Sequence, residues 1–144
     1  MKLLRPVFAS FMVLAVATLV ARAAEPAPLL TQYEKVSAAL VADDVSAAKA
    51  AAQQLAVEAT GLHHDAIAGS ARAVAEAGDL AAARQAFKIL STEAIALARK
   101  QKGYFIMTCP MAQADWVQRT RSVANPYLGK DMPTCGSVKE ETKD

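Results

Sequence analysis

Gly78 to Lys102 reads G-D-L-A-A-A-R-Q-A-F-K-I-L-S-T-E-A-I-A-L-A-R-K-Q-K. Leu80, Ala83, Phe87, Leu90, Ala94 and Leu97 step by three and four, the spacing that lines one face of an α-helix. Asp79 stands where an N-cap is wanted, ready to accept from the free N–H groups of the first turn. Arg99, Lys100 and Lys102 place cations at the negative end of the helix dipole. The segment predicts an amphipathic helix and sets the fold class as mainly α.

Toward the N-terminus the same period recurs three times. A helix of about residues 64–77 carries Ile67, Ala71 and Val74 on one side, with Gly78 as its stop. Before it, Val45, Ala48, Ala52, Leu55, Ala59 and Leu62 form one apolar stripe, capped by Asp43-Asp44 and ending near Gly61. The first helix carries Leu30, Tyr33, Val36, Leu40 and Val41, and Thr31 with Glu34 has capping-box spacing. Short connections make consecutive helices antiparallel, so the expected architecture is an up-and-down four-helix bundle. Gly78-Asp79-Leu80 with Ala83 and Phe87 faintly suggests a helical repeat, but no second copy follows at the required period.

The stripes are largely alanine. At about 25 cal/mol per Å² of buried apolar surface such a core is thin, and a staple near the C-terminus gains weight.

The first 23 residues read as a secretory signal peptide. Lys2 and Arg5 precede an apolar run from Val7 to Val20, and Ala21-Arg22-Ala23 supplies small residues for cleavage. The run is shorter than a membrane span and is followed by Glu25-Pro26. Residues 24–29 are then a leader, 30–136 the domain and 137–144 a flexible charged tail. Cleavage takes Lys2, Arg5 and Arg22 from the sixteen Lys and Arg, leaving 13 against 14 Asp and Glu, a net charge of −1. No basic stripe remains for nucleic acid and no polybasic patch for a membrane surface. The expected location is the periplasm or the extracellular space.

Beyond Gly103 the pattern changes. Tyr104 to Thr108 is aromatic and β-branched, a strand-like run, and Asp115 to Thr120 is its candidate partner. Both cysteines lie here, each close to methionine: Cys109-Pro110-Met111, then Met132-Pro133-Thr134-Cys135-Gly136. Thiolate and thioether together favour Cu(I) and Ag(I) over hard cations. In an extended strand Met107, Cys109 and, past Pro110, Met111 share one face. Cys109, Met111, Met132 and Cys135 are therefore candidate metal ligands, with Met107 as an additional one. Pro110, Asn125, Pro126, Gly129 and Gly136 bend the chain around them. Trp116, Tyr127 and Tyr104 read either as a shield for the site or as core beneath the segment. The competing reading is a Cys109–Cys135 disulfide with the methionines as filler, since paired cysteines in exported chains usually oxidise.

His63-His64 makes a poor chelate, because adjacent helical residues diverge by about 100°. No Ser/His/Asp set, histidine-rich zinc motif or phosphate loop is present, so no enzyme activity is expected.

C-P-M-A at 109–112, Trp116, N-P-Y-L-G at 125–129 and M-P-T-C-G at 132–136 resemble the C-terminal signature of the DUF3347 family. The resemblance implies a helical periplasmic domain associated with copper and other heavy metals, also found fused to copper-efflux membrane-fusion proteins. Only Ala112 to Asp115 separate C-P-M from the tryptophan, a shorter stretch than is usual there. By position it carries the ligand role to Cys109, Met111, Met132 and Cys135. Two functions follow as expectations. One is an exported Cu(I) or Ag(I) chaperone, buffer or efflux accessory, whose partners are the ion and a metal-efflux membrane-fusion protein or other envelope component. The other is a disulfide-stapled adaptor without metal.

Overall fold

In the computed structural model residues 27–143 are described, and the expected signal peptide lies outside them. Four helices come first: α1 (Ala27–Val41), α2 (Val45–Gly61), α3 (Asp65–Ala75) and α4 (Leu80–Ala98). Strands β1 (Phe105–Cys109) and β2 (Ala114–Gln118), a 3-10 turn (Gly129–Asp131) and β3 (Ser137–Glu141) follow. The chain is mainly α. The helices pack on one another, and α4 also carries the sheet through its contact with β2. Among the described residues no helix is long and apolar enough to cross a membrane.

The helix joints follow local chemistry. Asp44 and Asp79 cap α2 and α4, accepting from Ala47 N and Ala82 N at 2.9 and 2.8 Å. Asp43 and His63 close α1 and α2 in the left-handed region, with φ of 58° and 59°. In each case the following residue donates back five positions, Asp44 to Ala39 O and His64 to Ala59 O. This is the Schellman closure, made with Asp and His in place of glycine. His63-His64 is thus a helix joint, and Gly61 sits inside the last turn of α2.

Three expectations are corrected. The leader does not run to residue 29: α1 begins at Ala27, and Leu29 is already buried. Pro28 permits this, because a first-turn proline has no N–H to satisfy. Thr31 is consequently inside the helix, donating to Ala27 O at 3.0 Å, and does not cap it. The charged tail is not frayed over 137–141 but forms β3, antiparallel to β1 in a sheet of order β2-β1-β3. β3 is an edge strand, and its charges point at partners: Arg99 to Glu140, Lys139 to Asp115 and Arg121 to Glu141. Thr142 finishes the edge by exchanging hydrogen bonds with Tyr104.

The junction between bundle and sheet is aromatic and polar at once. Phe87 stacks on Tyr33 at 5.0 Å and meets Tyr127 at 5.8 Å, and Trp116 lies edge-on to Tyr127 at 6.0 Å. Tyr33, Ser91 and Tyr127 join hydroxyls at 2.7 and 2.9 Å. Val117 N–H can only donate, to Tyr33 at 3.3 Å, and Asp115 C=O can only accept, from Tyr127 at 2.8 Å. The Tyr127 hydroxyl thus faces two acceptors, Ser91 Oγ and the Asp115 carbonyl, and Tyr33 shares one hydrogen bond with Ser91. Burial raises the pKa of both phenols and keeps the network neutral.

Candidate metal centre

β1 and β2 form a hairpin with Cys109 opposite Ala114. The connection Pro110–Gln113 is a turn, closed by Gln113 N to Pro110 O at 3.2 Å with Gln113 at φ 48°. Lys88 of α4 fastens the turn by donating to Ala112 O at 2.7 Å. Cys109, at the end of β1, is wholly buried.

The second cysteine arrives from a loop held by one side chain. Asn125 Oδ1 accepts from Tyr127 N and Leu128 N at 2.8 and 3.0 Å, and its amide donates to Cys135 O at 2.7 Å. Its backbone N–H meets Pro133 O at 2.8 Å. Asn125 thus ties the N-P-Y-L-G turn directly to the M-P-T-C-G segment. The turn in its own right is anchored to the bundle by Arg84, which donates to Pro126 O, Leu40 O and Asp43. Gly129 lies so close that a Cβ there falls 1.9 Å from Asp43 Oδ1 and 2.1 Å from Arg84 Nη2. Gly136 is equally constrained. At φ 134° its added Cβ meets Thr108 O at 2.7 Å and Trp116 Cη2 at 2.9 Å. Glycine there lets the strand after Cys135 lie against β1.

The result is that Cys109 Sγ and Cys135 Sγ stand 3.1 Å apart, both as free thiols. Burial raises the Cys109 pKa. Hydrogen bonds from Cys135, from the Ala112 backbone, from Asn125 and from the Met111 backbone outweigh it, and the net shift is downward. Cys135 moves up, chiefly because its thiol donates to Cys109. The shared hydrogen bond thus favours a thiolate at Cys109 over one at Cys135.

The methionines are placed differently. Met107 is buried opposite Trp116 and Val138 and belongs to the core. The chain does not stay extended past Pro110, and Met111 is 66 % exposed. It borders a groove with Leu80, Ala81, Tyr127 and Leu128. Met132 is 41 % exposed on the Lys130–Thr134 stretch just before Cys135. Trp116 and Tyr104 are buried, and Tyr127 nearly so. Pro110 opens the hairpin turn and Pro126 presents its carbonyl to Arg84. Among the described residues no group of three or more His, Cys, Asp or Glu comes together for a metal.

Sequence reasoning passes over Arg84, which draws its three acceptors from two separated stretches, and over Ser91 and Lys88. Asp43 reads in the sequence only as a cap with its neighbour. Hydrogen bonding to Arg84, 2.5 Å away, and then to Lys130 N lowers its pKa despite partial desolvation. A carboxylate with a lowered folded pKa stabilises the fold above its unfolded value and loses that contribution as the pH falls through the folded one. Asp43→Asn is expected to lower the urea midpoint near neutral pH. The gap from the parent should close only as the pH falls below the ordinary aspartate range.

A small helical bundle carrying a dithiol pair on an appended three-stranded sheet is the class of domain these features define. The family model described as "Protein of unknown function (DUF3347)" matches residues 29–103, just over half of the chain. The chain belongs to the DUF3347 family. The match covers α1 to α4 and ends before Tyr104. Residues 104–136, including both cysteines, lie beyond it, whereas the sequence resemblance rested on that segment. Comparison with curated proteins and with solved structures gave no match.

Proposed function

We propose that this protein is an exported soft-metal-binding module, not an enzyme, that takes Cu(I) or Ag(I) as cargo at Cys109 and Cys135. The observation that carries the reading is the meeting of two thiol sulfurs, from stretches 26 residues apart, at 3.1 Å. Met132, three residues from Cys135, and Met111, two from Cys109, are the exposed thioether donors near the pair in sequence, whereas Met107, also two from Cys109, is buried. Thiolate and thioether suit Cu(I) and suit hard cations poorly. The N-terminal apolar run with its small-residue cleavage site supports export to the periplasm or beyond. Chaperone, buffer and efflux accessory are the roles compatible with such cargo, and an envelope efflux component is the corresponding partner.

The donor chemistry fits the ion, while the spacing requires a movement. With metal–sulfur bonds of about 2.3 Å, as for zinc, two sulfurs on one ion usually stand farther apart than 3.1 Å. Cys135 is the more accessible side, following the exposed Lys130–Thr134 stretch, whereas Cys109 is wholly buried. Anaerobic Cu(I) titration of the reduced protein against a competing chelator should show one ion held per chain. Replacing both cysteines by serine should abolish it, and affinity retained by that variant would remove the assignment.

The same short distance favours a second reading, a Cys109–Cys135 staple for a thin core. Mass spectrometry of protein isolated with and without copper load separates the two. A pair that stays oxidised under copper speaks for the staple.

A further inference from the structure

The two cysteines differ in a respect that neither reading above uses. Cys109 is wholly buried, and Lys88 holds down the Pro110–Gln113 turn that follows it. Cys135 is partly open and follows five exposed residues, Lys130 to Thr134. A reagent from solution therefore meets Cys135 first, while the wholly buried Cys109 lies 3.1 Å from Cys135 Sγ.

We infer that the pair is an asymmetric thiol-exchange site for low-molecular-weight disulfides and thiols, in which Cys135 receives the small molecule and Cys109 resolves it. In the oxidising direction the Cys135 sulfur, having lost its proton to solvent, attacks one sulfur of R–S–S–R. A Cys135–S–S–R bond forms, the small S–S bond breaks, and its electron pair leaves as R–S⁻. Cys109, also deprotonated, then attacks Cys135 Sγ. The Cys109–Cys135 bond forms and a second R–S⁻ departs. Two protein thiols and one small disulfide become one protein disulfide and two small thiols, the two protons ending on the latter. Excess small thiol reverses both steps, again through Cys135, because Cys109 is wholly buried.

The geometry suits both halves. Cys135 is only partly covered, and the residues before it are exposed, which leaves room for the adduct R. Cys109 is already 3.1 Å from the sulfur it must attack. The proposal stands on accessibility and distance, not on copper, so failure of the Cu(I) titration leaves it intact.

Glutathione disulfide is the probe, with acid quenching and mass spectrometry of the full chain. Native Cys109→Ala should stop at a stable mixed disulfide on Cys135, having no resolving thiol. Native Cys135→Ala should form the adduct at least tenfold more slowly, and only unfolding should remove the difference. The parent protein should pass to the internal disulfide with release of two glutathiones per chain. A difference below tenfold between the variants, or a parent that halts at the mixed disulfide, overturns the proposal. Should either variant not fold, a short pulse of iodoacetamide on the reduced parent decides the same question. Labelling of Cys135 at least tenfold ahead of Cys109 supports the proposal, and a smaller ratio overturns it.

Discussion

Gly136→Val is expected to unfold the C-terminal segment and to separate the two cysteines. A Cβ at this position comes 2.7 Å from the Thr108 carbonyl oxygen and 2.9 Å from Trp116 Cη2. The first neighbour is backbone in the central strand of the sheet, and the second belongs to the wholly buried Trp116. Neither has room to move. The backbone φ of 134° adds strain that a β-branched residue cannot relieve. Overpacking and backbone strain of about 1–3 kcal/mol each give a combined cost of about 2–6 kcal/mol. Chemical denaturation should report that loss, and the rate of Cys109–Cys135 oxidation by glutathione disulfide should fall with it. Unchanged stability together with unchanged oxidation would show that Gly136 does not set the approach of the two strands.

Phe87→Ala should have an effect of similar size by a different route. Phe87 is fully buried, stacked on Tyr33 and tilted against Tyr127, so it joins α1, α4 and the 125–128 turn. Truncating a buried phenylalanine costs about 3–5 kcal/mol. Small domains have a total stability of about 5–15 kcal/mol, and most of the surrounding core here is alanine, valine and leucine. The cavity also removes one wall from the Tyr33–Ser91–Tyr127 hydroxyl chain. A lost or much broadened unfolding transition is the expected result, with Phe87→Leu recovering most of it. A midpoint within error of the parent would mean that the aromatic cluster is not the keystone of the junction.

How far the sequence alone can be read follows from the range of the interactions involved. The four helices are legible because a period of 3.6 and an N-cap are settled by residues within a few positions. Asp44 and Asp79 cap α2 and α4 as expected. The start of α1 is misjudged because Thr31 and Glu34 match a local pattern, while burial of Leu29 and Leu30 against distant helices decides the boundary. β3 escapes notice for the same reason. Its five residues include three charges, and only pairing with β1 and ion pairs to Arg99, Asp115 and Arg121 make it a strand.

At the candidate site, the convergence of Cys109 with Cys135 is visible in the sequence as one of two chemistries. The position of Met111 is not. Proline favours extended backbone at the residue before it, and that bias does not reach the residues after it. Here the turn prevails, with Gln113 closing it. The supports of the site, Asn125 and Arg84, illustrate the other limit. Asn125 stands out in its motif, yet its bond to Cys135 O shows only in three dimensions. Arg84 looks like any charge on the outer face of α4 until its acceptors, Leu40 O and Pro126 O, are brought to it by folding.

Copper K-edge X-ray absorption on the reduced chain, loaded anaerobically with one equivalent of Cu(I), tests the central claim most directly. Two thiolates converging on one soft ion predict a first shell of sulfur alone, lost when Cys109 and Cys135 are both serine. A shell of nitrogen and oxygen neighbours, or copper that washes away from the reduced protein, would contradict it.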